Sequence, residues 1–128
     1  MQYIQKHIAF WKESAERNLK TAKDLYKTRH FDACLFFCHL TLEKYLKARV
    51  IQRTSTAAPF THDLVVLARV AHFTLTNEQE TLLRTVNSFN ISGRYDDYKL
   101  QFHKKATQAY TKKYLGNIDA LYLWLRQH

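Results

Sequence analysis

Phe31-Asp32-Ala33-Cys34-Leu35-Phe36-Phe37-Cys38-His39-Leu40-Thr41-Leu42-Glu43-Lys44-Tyr45-Leu46-Lys47-Ala48 decides the fold. Its first half is apolar nearly all round, which suits a helix buried on every side. An apolar helix does not need charges for stability, yet Glu43, Lys44 and Lys47 close the run. Asp32 near the start suits the positive end of a helix dipole, and Lys47 and Arg49 near the end suit the negative one. The pattern predicts a central helix over Phe31–Gln52. Cys34 and Cys38 lie four apart on one face of it, so they read as buried small hydrophobes rather than a disulfide.

Working outward, Ile4, Ile8, Trp11, Ala15, Leu19, Ala22 and Leu25 (or Tyr26) recur at threes and fours and predict a helix over Tyr3–Thr28. After the central helix, Arg53–Phe60 reads as a polar loop, and Pro59 disfavours helix before it. A short third helix opens at Thr61 or His62, with Leu64, Leu67, Ala68 and Ala71 inward. Thr76-Asn77-Glu78-Gln79 is a capping box, and it opens a fourth helix with Leu82, Leu83, Val86 and Phe89 as its stripe. Asn90–Phe102 reads as irregular, with Gly93 at its hinge. A fifth helix is predicted over His103–Arg126, with Ala106, Tyr110, Tyr114, Ile118, Leu121 and Leu125 inward. The expectation is an all-α chain, one domain over residues 1–128. It is an up-and-down four-helix bundle with an additional short helix. Two glycines and one proline in 128 residues argue against a hairpin-rich β fold.

No apolar stretch reaches the roughly 18 residues that span a bilayer. At the N-terminus, Lys12, Glu13 and Glu16 arrive too early for a secretory signal. The expected location is cytoplasmic, with no membrane partner. A formal charge of +9 can steer RNA, nucleotides or an acidic protein. The Lys20-Lys23-Lys27 ridge with Lys104-Lys105 and Lys112-Lys113 reads either as ordinary solvated helix faces or as a basic strip. No Gly-x-Ser-x-Gly elbow, Gly-rich phosphate loop or metal-ligand spacing is present, and no metal is expected.

Three constellations remain. Glu43 and Lys47 are i,i+4 neighbours, read as a surface pair or as part of a groove. His62 and Asp63 stand at a helix start, where free N–H groups can hold an anion or Asp63 can cap the helix. Arg94-Tyr95-Asp96-Asp97-Tyr98 is the densest polar-aromatic cluster, able to grip a phosphate and stack a base, or to pair internally. Tyr3, Tyr98 and Tyr122 are candidates for an exposed dimer surface.

Leu42-Glu43-Lys44-Tyr45-Leu46-Lys47-Ala48, then Thr61-His62-Asp63-Leu64, then Gly93-Arg94-Tyr95-Asp96-Asp97-Tyr98, in that order, resemble the HEPN domain family over roughly Trp11–Leu125. The resemblance implies the same helical bundle. Many members are metal-independent ribonucleases with an arginine and a histidine four to six residues apart. No arginine here has a histidine at that distance; Arg94 and His103 have eight between them. The resemblance therefore implies the non-nuclease branch, whose members often accompany a minimal nucleotidyltransferase. It implies a nucleotide- or substrate-binding partner of such an enzyme, in a toxin–antitoxin type of module, working as a homodimer. ATP or another nucleotide would be the ligand. Arg94, Tyr95, Lys44, Lys47, Glu43, His62 and Asp63 would form the nucleotide-binding site. Two alternatives stand beside this: a ribonuclease toxin using Arg94 and His103, and a purely structural protein-interaction module.

Overall fold

The computed structural model describes residues 2–94 and 96–128, and at residues 2, 91–94 and 96–98 the description is of the backbone. Six helices and no strands occur among the described residues. They are α1 (Gln2–Lys27), α2 (Phe31–Thr54), α3 (Leu64–Val70), α4 (Asn77–Arg94), α5 (Asp96–Lys105) and α6 (Gln108–Gln127). The all-α expectation holds.

α2 is the axis of the fold and touches every other helix. Cys34, Leu35, Cys38, Leu42, Leu46 and Ala48 are fully buried along it, so its apolar half has no solvent face to spare. α1 lies along α2, and Ala15 and Ala22, both fully buried, let the two backbones come close. At one end of this pair Ile8 packs against Ala48 and Ile51, with Ile4 and Trp11 over them. α4 brings Leu83, Val86 and Phe89 to the core, and α6 brings Ile118, Leu121 and Leu125. Each such side chain contributes roughly 1.5–3 kcal/mol by leaving water. Cys34 and Cys38 are buried free thiols. The hydrogen bond with Cys34, reinforced by burial, pushes the Cys38 thiol pKa up.

Two arginines tie α2 to the end of α6. Arg49 donates from Nη1 to the Leu125 carbonyl at 2.8 Å and to the Tyr45 hydroxyl at 3.1 Å. Its guanidinium lies over the Phe73 ring, 4.7 Å from the centroid. Arg53 donates to the His128 carbonyl at 3.2 Å. Arg53 therefore belongs to α2 and not to the following loop; the helix runs two residues beyond the expected Gln52.

Other boundaries also differ from the sequence reading. The segment Asn90–Phe102, expected to be irregular, is mostly helical: α4 continues through Gly93 to Arg94 and α5 begins at Asp96. The expected fifth helix from His103 is divided. Lys104 and Lys105 close α5, and Thr107 opens α6 by accepting the Tyr110 N–H at its hydroxyl, 3.2 Å away. A threonine N-cap restarts the chain there, and apolar periodicity alone does not register it. The capping box before α4 is present in both directions: Gln79 N–H donates to Thr76 Oγ1 at 3.1 Å and Thr76 N–H to Gln79 Oε1 at 2.9 Å. Tyr122, expected on an exposed dimer surface, is buried and donates to Glu16 at 2.7 Å; burial and that bond push its pKa up. Tyr3 is exposed as expected, and the Tyr98 side chain lies outside the described residues.

Candidate ligand-binding site

Glu43 stands where the apolar face of α2 meets the chain crossing to α3. It is not the surface residue that an i,i+4 pair suggests, being only 5% exposed. A carboxylate taken out of water costs several kcal/mol unless it is met by charge and hydrogen bonds. Here both oxygens are met. Lys47 Nζ donates to Oε2 at 3.1 Å, and His62 Nδ1 donates to Oε1 at 2.9 Å. His39 Nδ1 lies 3.7 Å from Oε1. Burial pushes the Glu43 carboxyl pKa up; the His62 bond and the Lys47 charge more than reverse this, and the pKa lies below the ordinary 4.5.

The loop carrying His62 is fixed from two sides. His39, fully buried on α2, donates from Nε2 to the His62 carbonyl at 3.0 Å. Thr61 Oγ1 accepts the Asp63 N–H at 3.0 Å. Asp63 Oδ1 accepts the N–H groups of Val65 and Val66 and the Asn87 side-chain amide, while Asn87 Oδ1 accepts the Leu64 N–H. Asp63 is thus the N-cap of α3. The first three N–H donors of that helix are already used, so the anion site considered at its start is filled by the protein itself.

What faces solvent is a cationic edge on a buried anion. With Nδ1 turned to Glu43, His62 presents Nε2 outward on a side chain that is 54% exposed. Lys47 lies over Trp11, 5.6 Å from the ring centroid, so its ammonium is bracketed by a carboxylate and an aromatic face. Lys44 is half-buried one position along α2 and makes no ion pair among the described residues. Such an edge can hold a phosphate or carboxylate.

Of the seven residues expected at a nucleotide site, Glu43, Lys47 and His62 meet directly. Lys44 is their neighbour on the helix, and Asp63 acts as a cap. Arg94 lies in the last turn of α4, where only the backbone is described, and Tyr95 lies outside the described residues. His103, the other half of the ribonuclease alternative, places Nδ1 3.3 Å from Asp32 at the start of α2. Asp32 precedes Glu43 by eleven residues, roughly 16 Å along the helix, so His103 and the Glu43 cluster occupy different levels of the bundle. Three supporting residues escape a reading of the sequence. His39 reads as pointing away from the core face that Cys34 and Cys38 share, yet it is fully buried; Asn87 reads as a solvated helix residue, and Trp11 as plain core. No local pattern marks them, because each acts on a segment remote in sequence.

A second cleft, about 440 Å³, is lined by Lys12, Glu13, Glu16, Tyr45, Tyr122 and Arg126. Burial, with the nearby Arg49 charge, lowers the Lys12 pKa. Arg126 faces Glu16 at 3.9 Å, so the charges of this cleft largely cancel. No group of three or more metal-ligating side chains occurs among the described residues, and no described helix is long and apolar enough to cross a membrane.

The family model described as HEPN domain matches residues 8–128, nearly the whole chain. No curated protein and no solved structure matches it.

Proposed function

Because the chain belongs to the HEPN domain family, we propose that it is a nucleotide- or substrate-binding module, acting as the helical partner of a minimal nucleotidyltransferase. The observation that carries the proposal is the buried Glu43 carboxylate holding the exposed His62 and the largely buried Lys47 side by side. A buried anion whose role is to orient a lysine and an imidazole suits the recognition of a phosphate group. Lys44 adds charge, and Arg94 and Tyr95 would complete the grip on phosphate and base. In this reading the module is a homodimer within a toxin–antitoxin type of pair, and its single domain spans residues 1–128.

Calorimetric titration with ATP, with and without magnesium, tests the site. Micromolar saturable binding weakened about tenfold or more by Lys47→Ala is the expected result, a loss of about 1.4 kcal/mol. No heat at millimolar ATP would remove the nucleotide.

The Glu43–His62 pair itself favours a second reading. A carboxylate that fixes one imidazole nitrogen and leaves the other free is the arrangement of a general base. Metal-independent cleavage of RNA by the purified protein, lost in His62→Ala but kept in His103→Ala, would establish it. Cleavage lost in His103→Ala instead would move the reaction to the Arg94 and His103 alternative.

A further inference from the structure

The turn between α1 and α2, the last turn of α5 and the first turns of α6 meet at one end of the bundle. Two long-range contacts fix this. Arg29 Nη1 donates to Gln108 Oε1 at 3.3 Å, and His103 Nδ1 lies 3.3 Å from Asp32 Oδ2. Six exposed cations gather there: Lys27, Arg29, Lys104, Lys105, Lys112 and Lys113. Lys112 is one helical turn beyond Gln108, which Arg29 holds, roughly 6 Å along α6.

Their gathering sets them apart, since Lys6, Lys20 and Lys44 also face no carboxylate among the described residues but do not stand in such a group. Elsewhere Arg17, Lys23, Lys47, Arg69, Arg84 and Arg126 each face a carboxylate. None of the six does so among the described residues. Lys105 and Lys113 instead lie over the rings of Tyr110 and Tyr114, at 5.6 and 5.4 Å from the centroids, and Arg29 lies over Phe31 at 5.3 Å. Of the carboxylates whose side chains are described, Asp24 and Asp32 belong to this end. Asp32 is already engaged by the Ala33 N–H and by His103. α6 begins here with no acidic residue in its first turn, so its dipole adds to the positive potential. Arg29 occupies the left-handed region at φ 65, where glycine is the unstrained choice, yet the chain keeps an arginine.

We infer that this basic end binds the phosphodiester backbone of a nucleic-acid strand, without reading its sequence. Concentrated like charge repels itself, and a polyanion relieves that repulsion. Lysine supplies five of the six cations, and lysine meets phosphate as a point charge rather than a base-reading fork. The tyrosines are half-buried beneath lysines, so they are not free platforms for base stacking. Of the exposed large hydrophobic residues whose side chains are described, only Leu100 belongs to α5 and only Leu123 to α6, the latter at its far end. A membrane surface would call for several inserted apolar side chains, and a protein partner for a buried anchor. Gly116 on α6 is exposed, and a Cβ at that position would meet nothing within 4 Å, so the helix backbone lies bare beside Lys112 and Lys113. The inference is independent of the Glu43 cluster.

Fluorescence anisotropy of the purified full chain with a labelled mixed-sequence 20-nucleotide RNA, and with its DNA counterpart, tests it across a series of salt concentrations. The expected result is saturable binding of both strands. The slope of log affinity against log salt should lie near −3 to −4, since each neutralised phosphate of a single strand contributes roughly −0.7. Lys112→Glu/Lys113→Glu and, separately, Lys104→Glu/Lys105→Glu should each weaken binding about tenfold or more. Lys6→Glu, far along α1, should leave it unchanged. Circular dichroism distinguishes lost binding from lost folding, and two independent pairs guard against one misfolded variant. Absence of binding in low salt, wild-type affinity in both double variants, or binding only to vesicles of anionic phospholipid would each overturn the inference.

Discussion

Glu43 shows how much a single residue can conceal in a sequence. As text it is one half of an i,i+4 pair with Lys47, worth a few tenths of a kcal/mol on a helix surface. In the fold it is buried and tied to His62, nineteen residues away. Its lowered pKa has a definite consequence for stability. A carboxyl whose folded pKa is depressed stabilises the fold in full above its unfolded value, and loses that contribution as pH falls through the folded value. Stability should therefore decline as pH drops below the ordinary 4.5. Glu43→Gln should cost about 2 kcal/mol at neutral pH, because the Lys47 ammonium and the His62 N–H lose their charged acceptor. The difference between variant and wild type should close in acid. Urea unfolding at pH 7, 5 and 3 checks both statements, and a gap that stays constant across these pH values would contradict them. The local motif points to the correct face of α2. The burial that gives the pair its strength depends on where the α2–α3 crossing lies, and no spacing rule reaches that far.

Helix bodies are readable where most helix ends are not, the capping box before α4 excepted, and the reason is chemical. The inward stripes of α1, α3, α4 and α6 follow the apolar period directly, although Thr111 and Tyr122 of α6 are buried outside the expected stripe. Ends are normally marked by glycine, and this chain has only two. Arg29, Ser55 and His72 take the left-handed cap positions at φ 65, 58 and 63. At two of these ends the backbone closes in the usual way, with His30 N–H on the Leu25 carbonyl at 2.8 Å and Phe73 N–H on the Ala68 carbonyl at 3.0 Å. A side chain with a Cβ is strained there, by about 1 kcal/mol or slightly more. Ser55→Gly and His72→Gly should each therefore stabilise the protein by up to about 0.5 kcal/mol, net of glycine's greater unfolded freedom. Chemical denaturation reads this directly. Arg29→Gly should also relieve strain, but with weaker RNA binding, because it removes one cation of the basic end. Stability and affinity moving in opposite directions would separate that residue from the other two caps.

The whole molecule carries +9, unevenly distributed. Its bundle follows from one apolar helix and three amphipathic ones, which is why the fold class is legible from pattern alone. The charge map is not, because it depends on which helix ends meet. By periodicity Lys104-Lys105 and Lys112-Lys113 share one helix, whereas a cap at Thr107 separates them and the Arg29–Gln108 contact adds the α1–α2 turn. Salt should act on this map in a particular direction. Surface ion pairs such as Arg17–Glu13 and Lys23–Asp119 have half or more of their side-chain area in solvent, or nearly so, and contribute little that salt can remove. The six cations at the basic end repel one another across distances comparable to a Debye length of about 10 Å at 0.1 M, so screening relieves them. The melting temperature should thus rise by a few degrees between 10 and 300 mM sodium chloride, on the order of 1 kcal/mol of relieved repulsion. In Lys112→Glu/Lys113→Glu, where two repelling charges become attracting ones, the rise should disappear or reverse. A wild type whose melting temperature falls with salt would mean that its ion pairs outweigh the repulsion at the basic end. The phosphate strand would then have less self-repulsion to relieve, and its binding would rest more on direct contacts.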